Sequence, residues 1–275
     1  MKEGRPVGLV RGLTADGFYT TDDFTYENGV YTLKEGVADV SSAVFPNYHL
    51  HNGMNERPAG QLAYPGMAKF KDLNDDGIIN DDDVDVIGDM TPVHTGGFNI
   101  NATYKNFDLG LYFNWSYGNE IYNVNKLAAL YGYKEGAVYE NKLSIVKDCY
   151  KIYDVVNGEL VALTTPEQLN AANANAKLPL AYSENGYVST LGIEDGSYLR
   201  LNTLTLGYTL PKSMLQKAGI SNLRVYGSIY NVFTITGYSG IDAEVSTSTS
   251  TKTYPQLGMD WGTCLLYTSP SPRDA

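Results

Sequence analysis

The chain has 275 residues, 20 Lys and Arg against 31 Asp and Glu, and a net charge of −11, which excludes a nucleic-acid binder that would gather basic side chains on one face. Gly (28) and Tyr (23) are abundant and Tyr far outnumbers Phe (8), so the composition points to turn-rich β structure rather than a helical bundle. No apolar run reaches the ~18–20 residues of a spanning helix, which excludes a helical membrane protein and leaves a membrane barrel open.

In chain order, Met1–Pro6 (MKEGRP) lacks the apolar core of a signal peptide, and Met1 reads as an internal methionine of a longer chain. Gly4–Thr20 carries short apolar stretches punctuated by glycine, as an edge or barrel-rim strand does. Asn28-Gly29 lies between β-forming residues, as does Asn157-Gly158 further on. Asn-Gly tolerates the positive φ angles of a type I′ turn, so each pair predicts a small hairpin. His49 and His51 fall in a Pro/Asn/Gly-rich stretch and His94 in a predicted loop; all three read as ordinary loop histidines.

The one chemical motif is Asp72–Asp83 (DLNDDGIINDDD), with oxygen donors at positions 1, 3, 5, 9 and 12 and glycine at 6. Calcium is a hard cation that takes six to eight oxygens, so it requires several carboxylates and amides converging on one turn. The expected ligands are the side chains of Asp72, Asn74, Asp76, Asn80 and Asp83 with the backbone carbonyl of Ile78. Gly77 permits the sharp turn and Ile79 is positioned to anchor the loop inward. Position 12 is Asp rather than Glu, and Tyr64-Pro65-Gly66 breaks any long preceding helix. The expectation is therefore a solitary, structural EF-hand-like loop holding Ca2+, not a regulatory pair.

In Phe98–Tyr104, Phe98, Ile100, Ala102 and Tyr104 share one face and Asn99, Asn101 and Thr103 the other. After Lys105-Asn106, Phe107, Leu109, Leu111, Phe113 and Trp115 alternate with Asp108, Gly110, Tyr112 and Asn114, which completes an antiparallel hairpin with one apolar and one polar face. A short helix is expected after Thr165, where Pro166 takes the first position and Gln168 completes a capping box. Tyr198–Leu210 is a third long strand, whose apolar residues change phase between Leu201 and Leu204 and so predict a bulge near Asn202. Leu223–Phe233 is a fourth, with a helical turn in Pro211–Gly219 before it. Short links thus alternate with long ones (Ser116–Gly196, then Thr236 onward). Loops in compact soluble domains are usually short, whereas outer-membrane barrels combine short periplasmic turns with long extracellular loops. Aromatics near strand ends suit the girdles at the lipid headgroups.

Residues Cys264–Asp274 match the in-frame translation of a common sequencing adapter, so 264–275 are read as non-native and the reading frame as incomplete at both ends. Removing Arg273 and Asp274 together leaves the net charge unchanged, and Cys149 becomes the one native cysteine. There is no H-E-x-x-H, no G-x-S-x-G and no carboxylate pair that sequence singles out; an enzyme is not expected.

The blocks Asp16–Tyr19, Lys69–Ile79, Val86–Asp89, Gly97–Tyr104 with Phe107–Leu109, Tyr198–Pro211, Leu223–Tyr226 and Asn231–Thr234 resemble, in order, the last part of SusC/RagA-type TonB-dependent outer-membrane transporters. The resemblance runs from about Gly4 to Thr263, and residues 1–263 are accordingly expected to form the C-terminal part of such a barrel. It implies an all-β fold, a partial antiparallel transmembrane β-barrel made of the C-terminal strands of about 22, with Asp72–Asp83 in an extracellular loop. It further implies uptake of an oligosaccharide or peptide across the outer membrane, a SusD-type surface lipoprotein as lid, TonB as energy coupler through a missing N-terminal region, and contact with outer-membrane lipid. The alternative is a secreted soluble β-rich binding module with a dockerin-like calcium loop.

Overall fold

The computed structural model describes residues 6, 8–42, 44, 57–131, 144–180, 188–216, 219–245 and 257–260. His49, His51 and the tail from Cys264 lie outside the described residues. The chain divides into two compact units, one drawn from Asp89–Asn123 and Glu194 onward, the other from Leu9–Gly88 and Val124–Ile193.

The first unit is built on four long strands: β1 (His94–Tyr104), β2 (Phe107–Tyr117), β3 (Tyr198–Thr209) and β4 (Arg224–Thr236), in the spatial order β4-β3-β2-β1. All neighbours are antiparallel, with Phe107 opposite both Tyr104 and Tyr208, and Thr209 opposite Arg224. The β1–β2 turn is the predicted Lys105-Asn106, with Lys105 at φ 53°. The helical turn between β3 and β4 is Lys212–Leu215, closing on Gly219 at φ 67°. The predicted bulge is present: the register shifts between Leu201 and Thr203, leaving Asn202 unpaired. Asn231 and Val232 stand opposite that gap, and Asn231 takes φ 50° to turn it.

His94 opens β1 rather than lying in a loop. Two glycines hid the start of that strand, because Gly96 and Gly97 add no pattern yet pair with Trp115 and Asn114. Gly96 is required by its neighbour: a Cβ there would fall 2.4 Å from the Trp115 indole.

The second unit has its own core, in which Tyr19, Tyr31, Tyr64, Met67, Phe70, Ile79 and Leu169 are fully or almost fully buried. Buried tyrosine hydroxyls require partners, and Tyr19 donates to the Ala38 carbonyl at 2.6 Å while Tyr31 donates to that of Thr164 at 3.1 Å. Both Asn-Gly hairpins form, Phe24–Glu27 with Val30–Leu33 and Tyr153–Val156 with Glu159–Ala162. Asn28, Gly29, Asn157 and Gly158 all have positive φ. The helix Pro166–Asn173 begins with the predicted capping box between Thr165 and Gln168. Among its described residues, Gly4–Thr20 supplies no strand to the long sheet. Leu9–Gly12 pairs with Asp85–Asp89, and Ala15–Phe18 with Ala68–Phe70, because runs of four residues pair within a small unit and cannot span a wall.

Candidate functional site

The four-stranded sheet sorts its side chains by face, since alternate residues point to opposite sides and paired residues share a side. One face is apolar on every strand: Phe98, Ile100 and Ala102; Leu109, Leu111 and Phe113; Leu199, Leu201, Leu204 and Leu206; Val225, Ile229, Phe233 and Ile235. Asn202 keeps that sorting intact, because the extra residue lets Leu201 and Leu204 remain on one side. Tyr104, Phe107 and Tyr208 close the face at the short-link end, and His94, Trp115 and Tyr117 at the other. Ile100, Leu206, Ile229 and Ile235 are 45–62% exposed. A sandwich would cover such a face with a second sheet.

The opposite face carries hydroxyls, amides and phenols: Asn99 and Asn101 on β1, Tyr112 and Asn114 on β2, Thr203 and Thr205 on β3, and Tyr226, Ser228 and Tyr230 on β4. Its charges are paired. Arg224 donates to both Asp108 oxygens, at 2.9 and 2.5 Å, across Gly207, where a Cβ would collide with both partners. Arg200 is almost completely buried, donates to Thr234 at 3.0 Å and to Glu244 at 2.9 Å, pairs with Asp242, and lies over the Tyr198 ring. A buried guanidinium needs such partners, because an unpaired charge away from water costs several kcal/mol or more. The sequence contains no local signal for this cluster: Asp242 and Glu244 lie more than 40 residues downstream of Arg200.

The structure gathers the predicted calcium residues around one turn. Asp72 accepts from the amides of Asp76 and Gly77, at 3.3 and 2.7 Å. Asn74 accepts from the Asp76 amide, and Asp76 from that of Ile78. Asn80 accepts from the Asp82 amide, while its own side-chain amide donates to the Ile78 carbonyl. Asp83 is completely buried and accepts from Leu73 at 2.7 Å and from Asn80 at 2.9 Å. Gly77 has φ 84°, and Ile79 is fully buried as the anchor. Among the described residues no three His, Cys, Asp or Glu side chains gather as a metal site by themselves. The donor set suited to a hard cation includes the Asn74 and Asn80 amides and the Ile78 carbonyl.

No family model matches the chain. It is 29% identical over 267 residues to TonB-dependent receptor P3 of Formosa agariphila, covering 95% of this chain and 21% of that protein. It is 30% identical to TonB-dependent receptor P26 of the same organism, covering 66% and 16%. TonB-dependent receptor SusC of Bacteroides thetaiotaomicron is 32% identical over 39% of this chain and 11% of its own length. Among solved structures, the RagAB peptide transporter superposes with a TM-score of 0.53 at 19% identity, covering 88% of this chain and 21% of that one. The RagAB peptide importer in its closed-closed state gives 0.52 at 18%, covering 88% and 22%. These two share the fold, which for the long sheet is a sector of β-barrel wall. The chain is part of a TonB-dependent receptor. Within that class it is similar to SusC over 114 residues and shares its fold with the RagAB structures, and it spans about a fifth or less of the length of these three curated relatives.

Proposed function

We propose that this chain supplies barrel wall and outer loops, as the C-terminal part, to an outer-membrane receptor that imports oligosaccharides, driven by TonB and closed by a SusD-type lipoprotein lid. The observation that carries the reading is the two-faced sheet. An apolar face bounded by aromatics at both ends suits lipid, and a polar face suits a lumen. The long excursions leave the sheet from the Tyr117, Tyr198 and Thr236 end, so that end is taken as extracellular. Oligosaccharide is favoured over peptide by the polar face itself, where phenols, amides and hydroxyls are open and the charges that would grip peptide termini are already paired. A soluble binding module is disfavoured by the same apolar face, which water would meet directly.

The loop Asp72–Asp83 is proposed to hold one structural calcium ion on Asp72, Asn74, Asp76, Asn80, Asp83 and the Ile78 carbonyl, where it would stiffen an outer surface. Isothermal titration of the intact receptor with CaCl2 tests this; uptake of one ion, lost in Asp76→Ala with Asp72→Ala, is expected, and no heat at millimolar calcium overturns it.

Transport is tested with the complete gene expressed in an outer membrane. Labelled neutral oligosaccharide is expected to accumulate only when TonB is intact, with little competition from peptides. Competition by peptides at equal concentration overturns the oligosaccharide reading, and uptake that persists without TonB overturns active import.

A further inference from the structure

On the polar face, at the end taken as extracellular, a cavity of about 250 Å³ lies between β3–β4 and the loop that follows β4. Arg200, Asn231 and Thr234 line it from the strands, and Asp242 from the loop. Its walls are held in place. Arg200 and Asp242, with side chains only 4% and 9% exposed, pair with each other. The Tyr238 hydroxyl donates to Asp260 at 2.5 Å, its amide donates to the Thr236 hydroxyl at 3.1 Å, and Ala243 is buried in a cluster with Ile121 and Tyr238.

The bulge supplies a further polar group. Strict alternation between Ile229 and Phe233 would put Asn231 on the apolar side with both. Its φ of 50° breaks that alternation, and Asn231 instead lines the cavity with Thr234 and Arg200 of the polar side. Bulges re-aim single side chains in this way. Among the described residues the Asn231 side-chain amide has no hydrogen-bond partner, so it faces the cavity with two donors and an acceptor.

The ion pair also keeps capacity to spare. A guanidinium carries five N–H groups, and Arg200 commits three, one each to Thr234, Glu244 and Asp242. Asp242 receives both Arg200 and the Glu244 amide on Oδ1, which leaves Oδ2 as an acceptor. A hydroxyl is donor and acceptor at once, so two hydroxyls on adjacent carbons complement an N–H beside a carboxylate oxygen. An anion in the cavity meets Asp242 with Glu244 behind it, and an ammonium group meets Arg200. The volume falls below the ~300–1,000 Å³ of drug-sized ligand sites, so one compact ring enters and an extended chain does not.

We propose that this cavity is a subsite for one neutral pyranose ring, an end or branch residue of a longer glycan. Adjacent hydroxyls of that ring bridge Arg200 and Asp242, and a further hydroxyl meets the Asn231 amide. The subsite rests on the oligosaccharide reading and deepens it, because it names where a single ring is held and requires that ring to be uncharged.

The test uses the complete receptor in detergent and saturation-transfer difference NMR. The ligands are the methyl pyranosides of glucose, galactose, mannose and xylose, with methyl glucuronide and dialanine as competitors. At least one neutral pyranoside is expected to bind, and neither competitor to displace it at equal concentration. Asn231→Gly keeps the positive φ and deletes the amide; it is expected to weaken binding about fivefold, the worth of one neutral hydrogen bond. Ile241, which also lines the cavity and is 57% exposed, gives a second variant: Ile241→Trp is expected to fill the space and abolish binding. Heat-modifiable migration confirms that each variant is a closed barrel. No binding by any neutral pyranoside, binding unchanged in both variants, or displacement by dialanine overturns the subsite. Uptake of oligosaccharide by a receptor that binds no pyranoside removes the subsite alone, whereas competition of that uptake by peptides removes the oligosaccharide reading and the subsite with it.

Discussion

Single side chains decide how the acidic loop is held. Asp83 has no exposure, and its two oxygens take the amides of Leu73 and Asn80. Asp83→Ala strands both donors, so a local loss of ~1–3 kcal/mol is expected. Amide exchange in the intact receptor should show the amides of Leu73 and Asn80 losing protection, with Asp83→Asn milder because one oxygen remains. The spacing of Asp72, Asn74, Asp76, Asn80 and Asp83 was legible because a loop motif is local, whereas the Arg200 cluster depends on contacts that only the folded chain creates. Cys149 makes a second residue-scale prediction. Burial, then the neighbouring Asp148, raises its thiol pKa, so the reactive thiolate is scarcer at a given pH. Iodoacetamide should therefore modify the Cys149 peptide of the folded receptor more slowly at pH 8 than that of the denatured chain. The rate should rise as pH increases; equal rates in both states would contradict the burial.

At the scale of the strand, alternation is the property under test. Leu204 faces the apolar side and Thr205, one residue on, the polar side, where its hydroxyl meets that of Ser228 at 2.8 Å. An arginine on the lipid face of a barrel strand costs ~2–4 kcal/mol near the midplane. Leu204→Arg should lower the stability of the inserted receptor by about that amount in a urea titration in lipid, while Thr205→Arg should change it little. Equal effects would contradict the face assignment. The long strands and the bulge were legible because ten or more alternating residues repeat the same signal, and a phase error inside such a run has one physical remedy. Outside its two Asn-Gly hairpins, the strands of the second unit were not. Asp39–Val40 and Ile78–Ile79 pair in parallel over two residues each, too short for any periodicity, and their partners are about 40 positions apart. In the long link Ser116–Gly196 the hairpin at Asn157-Gly158 and the capped helix Pro166–Asn173 were legible from their local turn and cap residues, whereas the core places of Tyr150 and Leu169 were not.

For the molecule as a whole, the governing fact is that a four-stranded sheet has two edges. Among the described residues, no strand pairs with the outer side of β1 or of β4. Backbone groups left unpaired in hydrocarbon cost several kcal/mol each, which is why membrane-spanning sheets close into barrels. In water the same sheet must expose the apolar face that runs from Phe98 to Ile235. Neither solvent suits the 275-residue chain alone, although the second unit has a core and hydrogen-bonded tyrosines of its own. Expressed by itself the chain should aggregate, and on refolding with phospholipid vesicles it should not yield a species that shifts in mobility on heating. Vesicle flotation with electrophoresis before and after boiling measures both. A chain extended with the remaining strands of its gene should float and shift, since closure satisfies the edges and lipid covers the apolar face. A heat-modifiable, vesicle-bound product from the 275 residues alone would show instead that the edges pair between copies, and that the wall closes by self-association.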